Sequence, residues 1–279
     1  MSKAVSSAAE QAEQLKLQGN NFYNENMFAA AIDLYTQAIR LCPNVPFYWT
    51  NRALCHRKLN DWASVEEDCL RAVRLDPRSV KGHYMLGLAL LHRDIYPEGI
   101  RALERALDLG RAHQDGHMVE EIWHAFATAK FDEWVEDSTQ RVKNLKELEK
   151  SCELGLWKKL MFDIQEAEEK EINKLFLTTG GQLRALNSVF SKVAEADTPT
   201  DIPDYLRCKI TLDILLDPVI TPCGITYEKA ALIQHIKKVG NFDPTTRQPL
   251  HPFQFVPNLA IKEAVANYLD QHRWAYKVD

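Results

Sequence analysis

No run of apolar residues in this 279-residue chain approaches the ~20 needed to cross a bilayer. The opening Met1-Ser-Lys-Ala-Val-Ser-Ser has none of the continuous apolar core of a secretory signal. Paired cysteines are missing too. Cys42, Cys55, Cys69, Cys152, Cys208 and Cys223 are scattered with no Cys-x-x-Cys, and three of them fall inside helical apolar patterns. That argues against a disulfide framework and for reduced thiols, so a cytoplasmic protein, with nuclear access, is expected. Basic runs are absent and the net charge is −5, which argues against general nucleic-acid binding. Neither a Ser-His-Asp or Cys-His nucleophile pattern nor a phosphate-cradling glycine loop is visible, and no cofactor is expected. What remains is a globular composition, 46% hydrophobic and 26% charged, with length for about two or three domains.

The most informative stretch runs from Ile202 to about Leu269. Val219-Ile-Thr and Ile225-Thr-Tyr are β-branched and aromatic runs separated by Pro222-Cys-Gly, which predicts a hairpin with a three-residue loop. Leu232, Ile233, Ile236 and Val239 then recur at helical spacing until Gly240. A last helix is expected from Asn258, a good N-cap, burying Ile261, Val265, Tyr268 and Leu269. Two four-coordinate zinc sites would need about eight Cys or His ligands, mostly in close pairs. The stretch offers Cys208, Cys223, His235, His251 and His272, scattered singly, so no metal is expected.

Ile202-Pro-Asp-Tyr-Leu, Ile210-Thr-Leu-Asp-Ile, Asp217-Pro-Val-Ile-Thr-Pro, Gly240-Asn-Phe-Asp-Pro-Thr-Thr-Arg and Val256-Pro-Asn-Leu-Ala-Ile follow one another in an order that closely resembles a U-box, the zinc-free relative of the RING finger. The resemblance implies a module, here 202–272, that holds a ubiquitin-conjugating enzyme already carrying ubiquitin as a thioester. It would act without forming a covalent intermediate of its own. It assigns Ile210, Leu212, His235 and Pro244 to the conjugating-enzyme groove. Arg247 would be the catalytic residue, hydrogen-bonding across enzyme and ubiquitin to favour the reactive, closed thioester. Ile210 and Leu212 are read as alternate residues of one strand, facing the same way. Without the resemblance they would be core and Arg247 a solvated charge.

Upstream, the chain repeats itself. Gly19, Ala53 and Gly87, then Ala38, Ala72 and Ala106, then Tyr35, Cys69 and Leu103, recur with a period of about 34 residues. Pro43 and Pro77 end the first two units. This is the tetratricopeptide pattern of paired antiparallel helices, placed at 12–45, 46–79 and 80–113. Val119, Ile122, Trp123 and Phe126 mark a capping helix at about 117–131, so the repeat domain is expected over 12–131.

Fold alone does not fix what such an array binds. Lys16 and Asn20 are four apart and share a helix face, and Asn51 and Lys81 hold matching early positions in the next two repeats. The set resembles the carboxylate clamp of chaperone-binding repeats. That resemblance implies capture of the C-terminal Glu-Glu-Val-Asp of the seventy- and ninety-kilodalton heat-shock proteins. Ammonium groups would neutralise the terminal carboxylates while amides satisfy their remaining lone pairs. Tyr23 and Leu54 are candidates for the pocket of the penultimate valine. Met85 stands where many clamps carry a basic residue, and is expected either to lower affinity or to shift it toward an apolar contact. The chain's own last residues, Val278 and Asp279, match the end of the peptide motif and are a candidate weak competitor.

Between the two, Val142, Leu145, Leu148, Cys152, Leu156 and Leu160 trace a long amphipathic helix. Gly180-Gly181 is read as a tight turn before Leu183, Leu186, Phe190 and Val193 resume the pattern. Two such helices leave apolar stripes uncovered, so 132–200 is expected to be a dimerising helical hairpin or coiled-coil linker. The expected fold class is mainly α: a three-repeat superhelix, this linker and a small α+β U-box. Repeats, linker and U-box in this order resemble the chaperone-docking ubiquitin ligases, which implies ubiquitin transfer to misfolded, chaperone-bound clients. A non-enzymatic co-chaperone adaptor with an inactive U-box is the alternative.

Overall fold

A computed structural model describes residues 2–113, 116–195 and 198–277. Val278 and Asp279 therefore lie outside the described residues. Two compact units divide near Lys130 and Phe131, and each is treated by itself.

The first unit contains α1 (Ser2–Asn24), α2 (Phe28–Leu41), α3 (Pro46–Lys58), α4 (Trp62–Leu75), α5 (Val80–Leu91) and α6 (Tyr96–His113). Successive helices pack as hairpins because small residues let their backbones approach. A Cβ at Gly19 would lie 2.8 Å from the Tyr35 ring, and one at Gly87 2.6 Å from Leu103. Ala38, Ala53, Ala72 and Ala106 are fully buried. Each hairpin turns in the same way. Asn26, Asn60 and Asp94 have φ of 62°, 58° and 58°. The next amides reach back five residues, Met27 to Phe22, Asp61 to His56 and Ile95 to Leu90. This is a Schellman stop, and Asn and Asp tolerate its left-handed residue. Asp61 and Ser79 cap α4 and α5 by accepting from Ser64 N and Gly82 N. An ion pair with a buried carboxylate braces the second repeat: Arg52 grips Asp68 through Nε (2.9 Å) and Nη2 (2.6 Å), and its Nη1 bonds the Thr36 hydroxyl (2.9 Å).

The end of the stack is covered by the start of α7 (Gly116–Glu166), whose Ile122 and Phe126 are buried. Val119 reaches Gly110, and Glu121 accepts from the Tyr84 hydroxyl at 2.9 Å. This covering segment is not a separate helix ending near residue 131. It runs on unbroken to Glu166 because no proline or glycine interrupts the pattern before Gly155, which sits harmlessly in open space.

Gly180-Gly181 does not form the expected turn. α8 (Glu169–Glu195) passes straight through Gly180 and Gly181, and the chain breaks at Ala167–Glu168 instead. Charge explains the position. Asp163 and Glu166 oppose the negative C-terminal end of a helix, whereas Glu169 and Glu171 favour the first turn of the next. The glycine pair costs about 1 kcal/mol per residue relative to alanine, which packing around the buried Thr179 can absorb.

The C-terminal region forms a three-stranded antiparallel sheet in the order β2–β1–β3, from β1 (Pro218–Ile220), β2 (Thr226–Glu228) and β3 (Val256–Pro257). Val219 pairs with Tyr227, and the hairpin closes at Thr221 N to Ile225 O (3.0 Å) around Pro222-Cys-Gly, with Gly224 at φ 79°. α9 (Lys229–Lys238) buries Leu232 and Ile236. α10 (Leu259–Gln271) buries Val265 and Leu269 and is capped by Asn258, which accepts from Ile261 N at 3.2 Å.

Candidate functional site

The repeat groove brings α1 and α3 together through an amide pair. Asn51 Nδ2 donates to Asn20 Oδ1 at 3.3 Å, and the Tyr35 hydroxyl donates to the same oxygen at 2.7 Å. Lys16, one turn away, pairs with Glu13 on its own helix. Lys81 has no acidic partner among the described residues. It is partly buried, and desolvation followed by the nearby Arg57 holds its pKa below the ordinary lysine value. Arg57 was missed in the sequence. It lies on α3, and only the packing of α3 against α5 reveals it as a second cation beside Lys81. Met85 is 1% exposed and locked among Cys69, Ala89 and Ala102, so it offers the groove no apolar contact. Tyr23 packs edge-on to Phe28 with ring centroids 5.5 Å apart, and Leu54 packs against the Met85 cluster. The two are half-buried and belong to different clusters.

In the C-terminal region, Ile210 and Leu212 are not on a strand. They sit on a tight loop between Arg207 and Ile214, closed by Cys208 N to Asp213 O (2.7 Å) and Leu212 N to Cys208 O (2.9 Å). The alternation is real, but the backbone turns there instead of extending. Leu212 takes φ 66° and is 67% exposed, and Ile210 is 37% exposed.

A second loop runs from Gly240 to Leu250. Asp243, fully buried, accepts from the Thr221 hydroxyl (2.9 Å), the Tyr227 hydroxyl (2.8 Å) and the amides of Thr245 and Thr246 (2.9 Å each). Burial works against its charge, but these hydrogen bonds outweigh it and hold its pKa below the ordinary aspartate value. Burial raises the Tyr227 phenol to about 12, so it remains a donor. Arg247, exposed and at φ 62°, lays its guanidinium 5.0 Å from the Phe242 ring centroid. His235 meets the same ring edge-on (5.0 Å) and its Nε2 donates to the Phe242 carbonyl (3.1 Å). Pro244, half-buried, lies between the Asp243 hub and Thr245. Phe242 is thus a platform shared by two expected site residues, a role that no spacing rule shows.

Both loops are moored to one strand. Glu228 of β2 accepts from Leu216 N (2.7 Å) and Asp217 N (3.0 Å), its amide donates to Cys208 Sγ (3.3 Å), and its neighbour Tyr227 holds Asp243. Two carboxylate hubs therefore position the loops that carry Leu212 and Arg247, and no cluster of three potential metal ligands occurs among the described residues.

Residues 202–274 match the U-box domain family. An Arabidopsis thaliana relative, "E3 ubiquitin-protein ligase CHIP", is 53% identical over 272 residues, covering 97% of this chain and 98% of that protein. The repeat segment is 37% identical over 108 residues to "Translocon at the outer membrane of chloroplasts 64" of Pisum sativum, covering 39% of this chain and 18% of that protein. It is also similar to a solved structure, the second TPR of Spaghetti (RPAP3) bound to an HSP90 peptide SRMEEVD, with 28% identity, a TM-score of 0.38, and coverage of 38% of this chain and 98% of that one. Fold and comparisons define the class: a mainly helical U-box E3 ubiquitin ligase with tetratricopeptide repeats. The chain belongs to the CHIP family of E3 ubiquitin-protein ligases. A U-box implies a ubiquitin-conjugating enzyme as partner.

Proposed function

We propose that the repeat groove docks the acidic C-terminal peptides of seventy- and ninety-kilodalton heat-shock chaperones, and that the U-box then delivers ubiquitin to the client they hold. The observation carrying this reading is the Asn20–Asn51 amide pair, with Lys16 one turn away on α1. Lys16 and Lys81 neutralise the terminal aspartate's two carboxylates, the amides donate to them, and Tyr23 and Leu54 receive the penultimate side chain. Ile210, Leu212, His235 and Pro244 seat the conjugating enzyme. Arg247, a planar five-donor group, bridges its surface and that of ubiquitin and favours the closed thioester. Selection of the target follows from effective concentration, since the client is tethered rather than recognised.

On this reading, residues 12–131 form the docking domain, 132–200 a dimerising linker and 202–272 the ligase module. The exposed apolar side chains Leu154, Trp157, Met161 and Phe162 of α7, with Phe176 and Leu177 of α8, support a homodimer. Six unpaired thiols suit a reducing cytoplasmic or nuclear compartment.

Calorimetric titration with an acidic peptide ending in Val-Asp tests the docking half. Lys16→Ala should weaken binding by about 1–3 kcal/mol at low salt, less than for a fully buried pair because the groove is partly wet. An unchanged isotherm contradicts the groove assignment. Light scattering tests the dimer, and a monomer at micromolar concentration contradicts it.

A further inference from the structure

Asn20 shows the groove only one end of its amide. Its oxygen accepts from the Tyr35 hydroxyl (2.7 Å) and from Asn51 Nδ2 (3.3 Å), which uses both lone pairs of a carbonyl. The Nδ2 hydrogens are what remain for a ligand. Tyr35 leaves little freedom in this. It is 2% exposed, its ring is pressed against Gly19, and its cluster consists of Ala31, Cys55, Phe22, Tyr23, Phe28 and Ile32. With the amide rotated, the buried hydroxyl hydrogen would lose its oxygen acceptor, and Asn20 would present an oxygen to any incoming carboxylate.

The repeat itself supplies the comparison. Leu54 and Leu88 occupy the position of Asn20 in the next two units, and Cys69 and Leu103 occupy that of Tyr35. The fold does not require a hydroxyl at this site, and one is present only where the asparagine is. Burial also raises the phenol pKa well above its ordinary value, so the hydroxyl keeps its proton as a donor.

We propose that Tyr35 is a positioning residue for the groove: its hydroxyl fixes the Asn20 amide so that Nδ2 meets a C-terminal carboxylate, making the groove prefer a free acid to an amidated chain end. This rests on the docking reading above. An amidated end keeps one acceptor oxygen but loses the charge, and puts an NH2 in place of the second acceptor.

The test titrates the full chain with an acidic peptide ending in free aspartate and with its C-terminally amidated twin. The proteins are the wild type, Tyr35→Phe, Asn20→Ala and the double variant. The free-acid peptide should bind Tyr35→Phe about fivefold to tenfold more weakly, the scale of one hydrogen bond to a charged-ligand site. The amidated peptide should change less than about twofold, and the phenylalanine should add nothing in the Asn20→Ala background, as expected for two residues acting as one unit. Free-acid binding unchanged by Tyr35→Phe overturns the proposal and leaves docking intact. Equal losses for both peptides, or the same loss without Asn20, assign Tyr35 to packing and also overturn it. A wild type that binds neither peptide removes the docking reading itself, and with it the role of Tyr35.

Discussion

Leu212 and Arg247 hold left-handed backbone although neither is glycine, asparagine or aspartate. The repeat turns use Asn26, Asn60 and Asp94 for that conformation, so the two U-box residues stand apart. Such strain costs of order 1–3 kcal/mol and persists where the surroundings impose it. Leu212→Gly should therefore raise stability by up to about 1 kcal/mol in thermal or urea melts. Conjugating-enzyme binding should fall, because the exposed leucine side chain is gone. A variant that is both less stable and fully active would contradict a functional origin for the strain. Lys81 gives a prediction with two opposite signs. Its depressed pKa means that the charged form is disfavoured in the free groove. Stability of the free chain should rise as pH climbs through that lowered value toward the ordinary 10.5, where the unfolded lysine also loses its proton. Peptide affinity should fall over the same range as the ammonium is lost. Calorimetry across the pH range below 10.5 measures both, and parallel trends would rule out Lys81 as a ligand-facing cation. Repeat register brought Asn20 and Asn51 to neighbouring positions, as their hydrogen bond shows, while Lys16, Lys81 and Arg247 entered as site residues through the clamp and U-box resemblances. Arg57, Tyr35 and Phe242 were not legible in the sequence, because each acts through a contact between elements that spacing along one helix or loop cannot show.

Among the elements, α8 shows where local rules lose to context. A Gly-Gly pair after Leu177-Thr-Thr reads as a turn, yet the helix continues, since the flanking apolar pattern and the acidic residues near Glu168 set the break earlier. Gly181→Ala should stabilise the chain by about 0.5–1 kcal/mol, because a Cβ there meets nothing within 4 Å and the helix has no need of glycine's freedom. Destabilisation would restore the turn. The hairpin, α9 and the Asn258 cap were legible because each is written in a short window of residues. The loop holding Ile210 and Leu212 was mistaken for a strand because alternation is blind to the hydrogen bonds that close it. The Gly240–Leu250 loop depends on Asp243. Asp243→Ala would leave the buried Thr221 hydroxyl and two amides without their acceptor, while the Tyr227 hydroxyl keeps Thr245 Oγ1 at 2.8 Å, a loss of about 3 kcal/mol or more. Its depressed pKa adds a pH signature. The stabilisation is present above the ordinary 3.8 and lost as pH falls through the lower folded value. Wild type should lose U-box stability in that acid window more steeply than Asp243→Asn, and identical acid melts would contradict the hub.

At the scale of the whole molecule, the proposed function keeps docking and transfer in separate segments of the chain. The ligase loops are set by Glu228, Tyr227 and Asp243, so strong zinc chelation should alter neither melting temperature nor transfer rate. Single-turnover discharge onto free lysine should fall roughly fivefold to a hundredfold in Arg247→Ala, the equivalent of about 1–3 kcal/mol of transition-state stabilisation, with the fold retained. The central claim is that a groove reading a chain end and a U-box reading a thioester are joined only by tethering. Its most direct measurement is reconstituted ubiquitination of a chaperone-bound client, with self-ubiquitination followed in the same reaction. Lys16→Ala should lower client modification in step with its lost affinity, and removal of the chaperone's terminal aspartate should abolish it, while self-modification continues; Arg247→Ala should suppress both. Client modification that survives loss of the chain end, or self-modification that disappears with Lys16→Ala, would contradict the central claim.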